Sequence, residues 1–508
     1  MNDYFVQPPY RQQPAFKPFP IGKKDLLLAL FVLIFGCFLW NSFCYGGLNL
    51  GVAIGGVCCL SCAFVYLLCC GYRPGGYSAS LLILSLVSLV GFARSDDSFV
   101  KFVLLCFILV GSNLGLCLMA KKQLWSADTV HSLLDAPRTI IMFGMACAPE
   151  AVCGVGQTLR SGGTFTKKGG AILLGLGISV PILAIMIPLL ISADAAFDGL
   201  MQLLPDLKAG PLLNTLIIGT VFSCLLFTRS VALHHKETTP RPQRTPKGAN
   251  ALTVNTVLSV VCLLYGVYLV SQLAYLSGGF AGILPEEFTM AQYARRGFFE
   301  MALLSLCNLT VMILSLGFVQ KESRSPLVTR LLCLFLGIIT LFLIATASAK
   351  MFLYIDSFGL SRLRLLTQII MLFLAVTAAV IMCWLFLPKL PYMKAILLAA
   401  MVIGAVTLWA DVDTIVASHN VNGYLSGKYT TIDVSYMNRL GDSAVPYLAK
   451  LAREAPDAAV AREAKEHLNY PPRGSILELF FGPDEDDFRD WNYVSHTAKQ
   501  YKHTDETQ

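Results

Sequence analysis

Charged residues are scarce in this sequence of 508 residues, at 14% of the chain, where soluble domains carry about 25%. Hydrophobic residues make up 55%, and the mean hydropathy is +0.63. A soluble fold this apolar could not cover its surface with polar side chains, so most of the chain must face lipid. The composition therefore excludes a string of soluble domains and predicts the lipid bilayer as the main partner.

Signatures of the common enzyme classes are also missing. The chain has no GxxxxGK[ST], HExxH or GxSxG motif and no paired CxxC spacing for zinc. Its 7 histidines are scattered, and residues 251–411 contain none. Cys59 and Cys62 form a CxxC inside an apolar run, where cysteine packs as a small apolar residue. We therefore expect no metal ion, no cofactor and no nucleic-acid partner, and a non-enzyme is favoured over an enzyme.

Eleven long apolar runs dominate the sequence, and most approach the roughly 20 residues that cross a ~30 Å hydrocarbon core. The sequence therefore predicts an all-α polytopic membrane helix bundle with about 11 transmembrane helices. The predicted spans are Leu26–Cys44, Leu48–Cys70, Ser78–Ala93, Val100–Ala120, Gly170–Ser192, Leu212–Leu233, Leu252–Leu276, Phe298–Val319, Leu327–Lys350, Leu363–Leu387 and Tyr392–Ala410. Gly47, Gly51 and Gly55 form a GxxxGxxxG pattern, which predicts close helix packing.

The runs divide the chain into five predicted regions. These are a disordered cytoplasmic tail (1–25), transmembrane helices one to four (26–120), a cytoplasmic loop with an interfacial helix (121–168), transmembrane helices five to eleven (169–411) and a small helical extracytoplasmic region (412–508). Thr139–Ala148 is apolar but too short to span a bilayer, so we expect an interfacial or re-entrant helix there. A full span at residues 139–159 would reverse the parity of the topology.

Basic residues are distributed unevenly over the predicted loops. If the N-terminus is cytoplasmic, the loops on the inner side carry 21 Lys and Arg residues and those on the outer side carry 8. Because cytoplasmic loops are enriched in Lys and Arg, this bias predicts a multipass protein of the cell membrane with an extracytoplasmic C-terminus.

The C-terminal region has the pattern of short helices. Asp433 is placed to cap one helix, and Asp442 or Ser443 to cap a second over Ala444–Ala455. A third is predicted over residues 457–468, and a last one after the acidic run Asp484–Asp487. The region contains no cysteine and too little apolar surface for a core of its own, so we expect it to pack on the outer face of the bundle.

Charged residues gather where predicted spans meet the outer side. Snorkelling interfacial side chains would explain each of them separately. Arg364, however, lies about a turn inside an apolar run, where a charge is costly unless it is paired. A shared polar cluster, either ligand-binding or structural, would bring together Asp194, Asp198, Arg295, Arg296, Glu300, Lys350, Asp356, Arg362, Arg364 and Asp411. Within it we expect Arg364 or Lys350 to pair with Asp194 or Asp356.

Several segments match a known sequence pattern. They are ISADAAF (191–197), YARRGFFE (293–300), FGLSRLRLLTQ (358–368), ADVDTIVASHNVNGYLSG (410–427), IDVSYMNRLGDSAVPYL (432–448) and the pair Trp491-Asn492. In these segments the chain resembles a family of bacterial multipass membrane proteins catalogued as a domain of unknown function (DUF 4173-type, related to DUF 4153). The resemblance implies a bacterial cell-envelope protein, and it implies no activity, substrate or cofactor.

Three functional hypotheses remain open. The first is an integral membrane protein that binds or moves an envelope component, such as a lipid or an ion, through a polar site on the outer side. The second is a non-enzymatic envelope scaffold or signalling protein, in which the outer charges dock the C-terminal helices and these present a surface to a partner. The third is an intramembrane transferase that uses Asp194 or Asp198 as a base.

Overall fold

The computed structural model of the protein describes residues 17–126, 128, 130–161, 214–237, 250–280, 298–318, 326–387, 389–469 and 488–505, together with the single positions 175, 186 and 190. The longer helices are α1 (Lys23–Tyr45), α2 (Leu50–Cys69), α3 (Gly76–Gly91), α4 (Ser98–Met119), α5 (Ala148–Ser161), α6 (Thr220–His235), α7 (Ala251–Phe280), α8 (Phe298–Phe318), α9 (Pro326–Phe358), α10 (Arg362–Phe386) and α11 (Tyr392–Ala410). Helices α12 (Val412–Leu425), α13 (Val434–Asn438), α14 (Val445–Glu454), α15 (Ala458–Asn469) and α16 (Tyr493–Asp505) follow. The part of the chain that the structure describes contains no strand.

Ten of the eleven predicted spans coincide with helices, and the prediction of an all-α polytopic membrane bundle is confirmed. The remaining predicted span, Gly170–Ser192, lies outside the described residues except for positions 175, 186 and 190. Among the described helices, eight are long and apolar enough to cross a membrane, while Gly76–Gly91 and Glu300–Leu316 are apolar but shorter. A π-helical turn, Thr215–Gly219, leads directly into α6.

Residues 131–160 form two helices that meet at a bend of 43°. The first ends in a π-helix, Thr139–Met145, and the second is α5. Together they have the length and composition of either a broken span or a re-entrant loop. The structure does not distinguish these two arrangements. The interfacial or re-entrant helix expected at Thr139–Ala148 therefore stays a prediction.

Small residues let α1 and α2 approach closely. A Cβ atom on Gly55 would lie 2.9 Å from the backbone Cα of Leu39, and one on Gly51 would lie 2.8 Å from Cβ of Ser42. Both distances are shorter than real contacts allow, so a larger side chain would push the helices apart. The close packing predicted from the glycine pattern is therefore confirmed for Gly51 and Gly55.

Helix α11 connects two groups of helices. The first group contains α1–α4 and α6, the second contains α7–α10, and α11 packs on α3 and α4 of the first and on α10 of the second. A buried polar chain links three helices of the second group. Tyr265 Oη donates to Asn308 Oδ1 (2.8 Å), and Asn308 Nδ2 donates to Thr340 Oγ1 (3.1 Å). Such hydrogen bonds stabilise helix contacts in lipid.

The bundle has two distinct ends. At what we call the amino end, Asp25 in the first turn of α1 lies 3.4 Å from Nε2 of His235, the last residue of α6. At what we call the carboxyl end, Asn41 near the end of α1 contacts Arg489. The described residues from Val412 onwards pack at the carboxyl end.

Residues 17–25 are not the disordered tail that the sequence predicts. Phe19 and Ile21 are buried. The amide of Phe19 donates to the carbonyl of Glu150 (3.1 Å), and Thr158 Oγ1 donates to the carbonyl of Ile21 (3.0 Å). Two buried apolar side chains and two hydrogen bonds hold this segment against α5.

Candidate functional site: a buried polar junction at the carboxyl end

Asp411 occupies the single position between α11 and α12. Its side chain is fully buried, and its backbone has φ 51° and ψ 93°. Residues other than glycine rarely adopt positive φ, and doing so costs on the order of 1–3 kcal/mol. This turn carries the chain from the last span into the C-terminal helices.

The carboxylate of Asp411 accepts hydrogen bonds from three hydroxyl groups. Ser95 Oγ donates to Oδ1 (2.8 Å), while Ser443 Oγ (3.0 Å) and Thr414 Oγ1 donate to Oδ2. Ser95 lies in the loop between α3 and α4, and Ser443 lies in the 3-10 turn Gly441–Ala444 before α14. A single buried carboxylate therefore joins a loop of the membrane bundle to the C-terminal helices.

Arg362, the first residue of α10, makes a second contact between the bundle and the C-terminal helices. Its Nε donates to Asp413 Oδ1 (2.7 Å) and its Nη2 to Asp413 Oδ2, and the Nε atom is also 3.6 Å from Asp97 Oδ2. The side chains of Asp97 and Asp413 are 0% and 2% exposed. Asp97 is also the N-cap of α4, because its Oδ1 accepts from the amides of Phe99 and Val100.

These groups form one continuous network, because Ser95 Oγ also accepts from the amide of Asp97 (3.2 Å). We call this network the junction cluster. Its members come from the α3–α4 loop, the start of α10, the α11–α12 turn and the turn before α14. They are Ser95, Asp97, Arg362, Asp411, Asp413 and Ser443.

Acidic groups outnumber basic groups around the junction cluster. Burial raises the pKa of Asp413 to about 6, although Arg362 acts in the opposite direction. Burial also raises the pKa of the neighbouring Asp96 to about 6, and there the opposing charge is that of Lys101. Lys101 is itself buried in α4 and donates to Asn49 Oδ1. Protonation of these carboxyl groups is therefore accessible under mildly acidic conditions.

The segment 488–505 packs on α14 and the turn before it, and it also attaches to the carboxyl end of the bundle. The amide of Leu50 donates to the carbonyl of Trp491 (3.1 Å), and the amide of Tyr493 donates to the carbonyl of Ala93 (2.8 Å). The guanidinium of Arg94 lies 4.3 Å from the centre of the Tyr493 ring. These contacts fix α16 over the ends of α2 and α3.

The α9–α10 turn is held in a third contact. The amide of Leu360 donates to Asn420 Oδ1 (2.8 Å), and Asn420 Nδ2 donates back to the carbonyl of Leu360 (2.7 Å). The amide of Arg362 donates to Tyr436 Oη (2.9 Å). Gly359 has φ 74°, and a Cβ atom there would lie 2.7 Å from Asn420 Oδ1. Both α12 and α13 thus form hydrogen bonds with the backbone at the start of α10.

The structure brings together two of the ten residues proposed for the polar cluster, Arg362 and Asp411. Four others lie outside the described residues: Asp194, Asp198, Arg295 and Arg296. Glu300 is exposed in the first turn of α8, and Lys350 is partly buried in α9. These two are not part of the junction cluster.

Arg364 with Asp356, one of the four alternative pairings expected, is not formed, and the two alternatives with Asp194 lie outside the described residues. Asp356 is exposed and pairs with Lys428 at 2.6 Å. Arg364 Nη1 donates to the carbonyls of Phe358 and Gly359, and its guanidinium lies 4.0 Å from the centre of the Tyr354 ring. Arg364 therefore satisfies the last carbonyls of α9, a role that basic residues often have near helix C-termini.

Sequence reasoning missed several partners in the junction cluster. Ser95 and Ser443 carry no signal of their own, and Ser443, a predicted helix cap, donates to Asp411 instead. Asp97 could have been identified as the cap of α4 from its position before an apolar run. The cap predicted at Asp433 is confirmed, since its Oδ1 accepts from the amide of Tyr436 (2.7 Å).

The chemistry of the junction cluster suits a structural contact between the bundle and the C-terminal helices. Its polar atoms bond mainly to one another, and within the described ranges no group of three or more His, Cys, Asp or Glu residues is arranged to hold a metal ion. A bidentate Arg–carboxylate pair gives geometric specificity as well as energy. The cluster can therefore hold the C-terminal helices in one orientation.

Comparison with known families identifies one match. The model of the family described as "Domain of unknown function (DUF4153)" matches residues 79–451. This match covers most of the spans and the junction cluster, and it ends within α14. No curated protein and no solved structure matches the chain.

Proposed function

The chain belongs to the DUF4153 family, and we propose that it is a non-enzymatic membrane scaffold. In this proposal the helical region from Val412 onwards, which we call the C-terminal module, is fastened to the carboxyl end of the bundle. The module then presents a surface to a partner protein. The membrane helices serve to place and orient it.

The observation that supports this proposal is that Asp411 and Arg362 both bond to other parts of the protein. Both residues were candidates for binding a ligand, and their side chains are instead bonded to side chains of the bundle and of the module. Asp411 accepts from Ser443 of the module and Ser95 of the bundle, and Arg362 pairs with Asp413 of the module. A bidentate Arg–carboxylate pair fixes orientation, and removing one partner of a buried pair is costly, which is what a scaffold requires.

We further propose that the module lies outside the cytoplasm. The bias of 21 to 8 basic residues over the predicted loops supports a cytoplasmic amino end. The structure places residues 17–25 and the module at opposite ends of the bundle, so a cytoplasmic amino end puts the module in the envelope space.

Helix α15 is the best candidate for the partner surface. It packs on α13 and α14 of the module and so forms an outer layer. Its exposed positions carry charges of both signs, at Arg462, Lys465 and Glu466. A face that carries charges of both signs is unsuited to lipid, so it stays accessible to a partner protein from the aqueous side.

Site-specific photo-crosslinking in the bacterial host tests the proposal. A photoreactive residue would be placed at Arg462, Lys465 or Glu466 of the full chain, one at a time. We expect a discrete protein adduct from at least one position. The same adduct should weaken strongly when Arg362→Gln loosens the module and persist in the matched variant Arg364→Gln.

Two results would overturn the scaffold proposal. One is the absence of a protein adduct at all three positions of α15. The other is an adduct that is equally strong with Arg362→Gln, because the module would then work without being held by the bundle.

A site that binds or moves an envelope component remains the second candidate. One observation favours it: Asp97 Oδ2 is buried without a hydrogen bond, beside an excess of acidic groups. Asp97→Asn keeps the N-cap acceptor of α4 but removes a charge that faces Arg362, so in a scaffold any weakening of the α15 adduct should come with a matching loss of thermal stability. Loss of the adduct with an unchanged thermal stability would favour the binding site instead.

A further inference from the structure

Arg229 is a charged residue inside a membrane span. It lies on α6, six residues before the last residue of that helix, which is about 9 Å at 1.5 Å per residue. Asn113 lies at the same depth on α4, six residues before its end at Met119. Arg229 Nη1 donates to Asn113 Oδ1 (3.0 Å). This bond holds the guanidinium at the level of Asn113 and keeps it from extending to the membrane surface.

A further donor of Arg229 is unused. Its Nε atom is buried without a hydrogen-bond partner. Within the described part of the chain no carboxylate pairs with it, in contrast to other basic residues near the amino end. Arg138 lies 3.0 Å from Asp135, and Lys236 lies 3.0 Å from Glu150. Arg229 has a neutral amide where these residues have a carboxylate.

An arginine in this position needs a counter-charge. The guanidinium stays protonated in proteins, and a charge inside a span is costly unless it is paired. Its five donors form a planar fork that matches the oxygens of a phosphate. A neutral amide acceptor satisfies one donor and leaves the charge uncompensated. The missing partner is therefore an anion.

Arg229 packs beside a π-helix and is not fully enclosed. The π-helix Thr139–Met145 packs against α6, and a Cβ atom on Gly144 would lie 4.0 Å from Cβ of Arg229. Arg229 as a residue is partly exposed although its Nε atom is sealed. The partly exposed residue thus lies next to a segment with π-helical turns, which are frequent at functional sites.

We propose that Arg229 is the centre of a phosphate-binding site between α4, α6 and the π-helix Thr139–Met145. The phosphate group belongs either to the headgroup of an anionic phospholipid or to a free phosphate ion. Basic pockets between membrane helices bind anionic headgroups in this manner. This site lies toward the opposite end of the bundle from the junction cluster and is independent of the scaffold proposal.

Thermal unfolding of the purified, delipidated full chain in detergent tests the site. Phosphatidylglycerol would be compared with phosphatidylcholine, and sodium phosphate with sodium chloride at equal ionic strength. A ligand that binds the folded state raises Tm. We expect phosphatidylglycerol, sodium phosphate or both to raise Tm more than the matched control does. A rise with the lipid alone identifies a headgroup, and a rise with the salt alone identifies a free ion.

Arg229→Gln should abolish that rise in Tm. Arg330→Gln is the matched control, because Arg330 is an exposed arginine in the first turns of α9 at the same end of the bundle. In delipidated protein without phosphate, Arg229→Gln should raise Tm above the wild-type value, because it removes an uncompensated cation. If Arg229→Gln does not fold, Arg229→Lys should show a smaller rise than wild type, since an ammonium lacks the planar fork.

Three outcomes would overturn the proposal. The first is a Tm that neither phosphate source raises more than its matched control does. The second is a rise in Tm in Arg229→Gln as large as that of the wild type. The third, where Arg229→Lys has to be used, is a rise in that variant as large as that of the wild type.

Discussion

The hydroxyl of Ser95 donates a 2.8 Å hydrogen bond to Asp411, a residue 316 positions later in the sequence. Ser95 belongs to the loop between α3 and α4, and Asp411 ends the last membrane helix. The bond closes the carboxyl end of the bundle at the point where α11 packs on α3. The same carboxylate accepts from Ser443, so the closure of the bundle and the docking of the C-terminal module depend on one residue.

Replacing Asp411 should therefore loosen both contacts. In Asp411→Ala the hydroxyls of Ser95, Ser443 and Thr414 lose their acceptor, while the backbone keeps its positive φ. Because hydrogen bonds to a charged group contribute about 1.5–3 kcal/mol each, we expect a loss of about 3 kcal/mol or more. Hydrogen exchange of α12 and α14 would measure it as faster exchange.

Asp411→Asn is the matched control for this experiment. It keeps the shape and one acceptor oxygen, so we expect a loss of about 1 kcal/mol. Exchange in Asp411→Ala that equals the wild-type rate would contradict the role given to the carboxylate.

Removing the charge of Arg362 should destabilise the docked module. Arg362→Gln leaves the buried carboxylates of Asp97 and Asp413 facing each other without a cation. Breaking a fully buried pair costs about 3–5 kcal/mol. We expect about 2–3 kcal/mol here, because 37% of the Arg362 side chain is exposed and solvent screens the loss.

Arg364→Gln provides the control, since Arg364 lies two residues further along the same helix and bonds to backbone carbonyls. Limited proteolysis of the two variants would compare them. Cleavage within α12–α14 should accelerate in Arg362→Gln alone. Equal cleavage of both variants would assign the effect to the start of α10 in general and not to the ion pair.

Docking of the module should strengthen as the pH falls from 7 to 5. Burial raises the pKa of Asp413 to about 6, above its ordinary value of 3.8, and the same holds for Asp96. Between these two pH values the docked state binds more protons than the undocked state, so lowering the pH favours docking. The gain is absent above about pH 7 and complete below about pH 4.

Hydrogen exchange of α12 at pH 7 and pH 5, corrected for intrinsic exchange rates, would measure this change. Asp413→Asn should flatten the response, and Asp457→Asn, at an exposed position, should leave it unchanged. A module that docks more weakly at pH 5 would show that the ion pair with Arg362 outweighs the effect of burial.

A separate prediction concerns the membrane topology of the two termini. A reporter that is active only in the cytoplasm should be silent when fused after Gln508 and active when fused before Met1. The physical reason is the excess of basic residues in the loops assigned to the inner side. Activity at both ends would place an even number of spans between them, and the bent helix pair at residues 131–160 would then be the first candidate for an additional span.

The sequence predicted the fold because the physical signal for a membrane helix is strong. Long apolar runs located ten of the described helices, eight of them long and apolar enough to cross a membrane, and the glycine pattern located the contact between α1 and α2. The same approach could not predict the partners of Arg362. Charges near span ends are easily found, but their pairing depends on how the ends of α4, α10 and α11 are arranged in space. No local pattern records that arrangement.

Residues 17–25 and Ser443 illustrate two further limits. Composition predicts disorder for residues 17–25, and two buried side chains, Phe19 and Ile21, together with two hydrogen bonds overturn it. Ser443 has the residue type of a helix cap, yet its hydroxyl is taken by a carboxylate 32 positions away. In both cases a tertiary contact overrides a correct local tendency.

The contact between Leu50 and Trp491 has a consequence for biosynthesis. Proteins are made from the N-terminus, and early segments fold before later ones leave the ribosome. The loop before α2 is thus inserted at the membrane at the beginning of translation, yet its partner for the amide of Leu50 is the carbonyl of Trp491. Until that late segment arrives, the loop has an unmet donor exposed at the membrane surface. A chain truncated before residue 488 would lack this bond, and water would take the place of the Trp491 carbonyl at the start of α2.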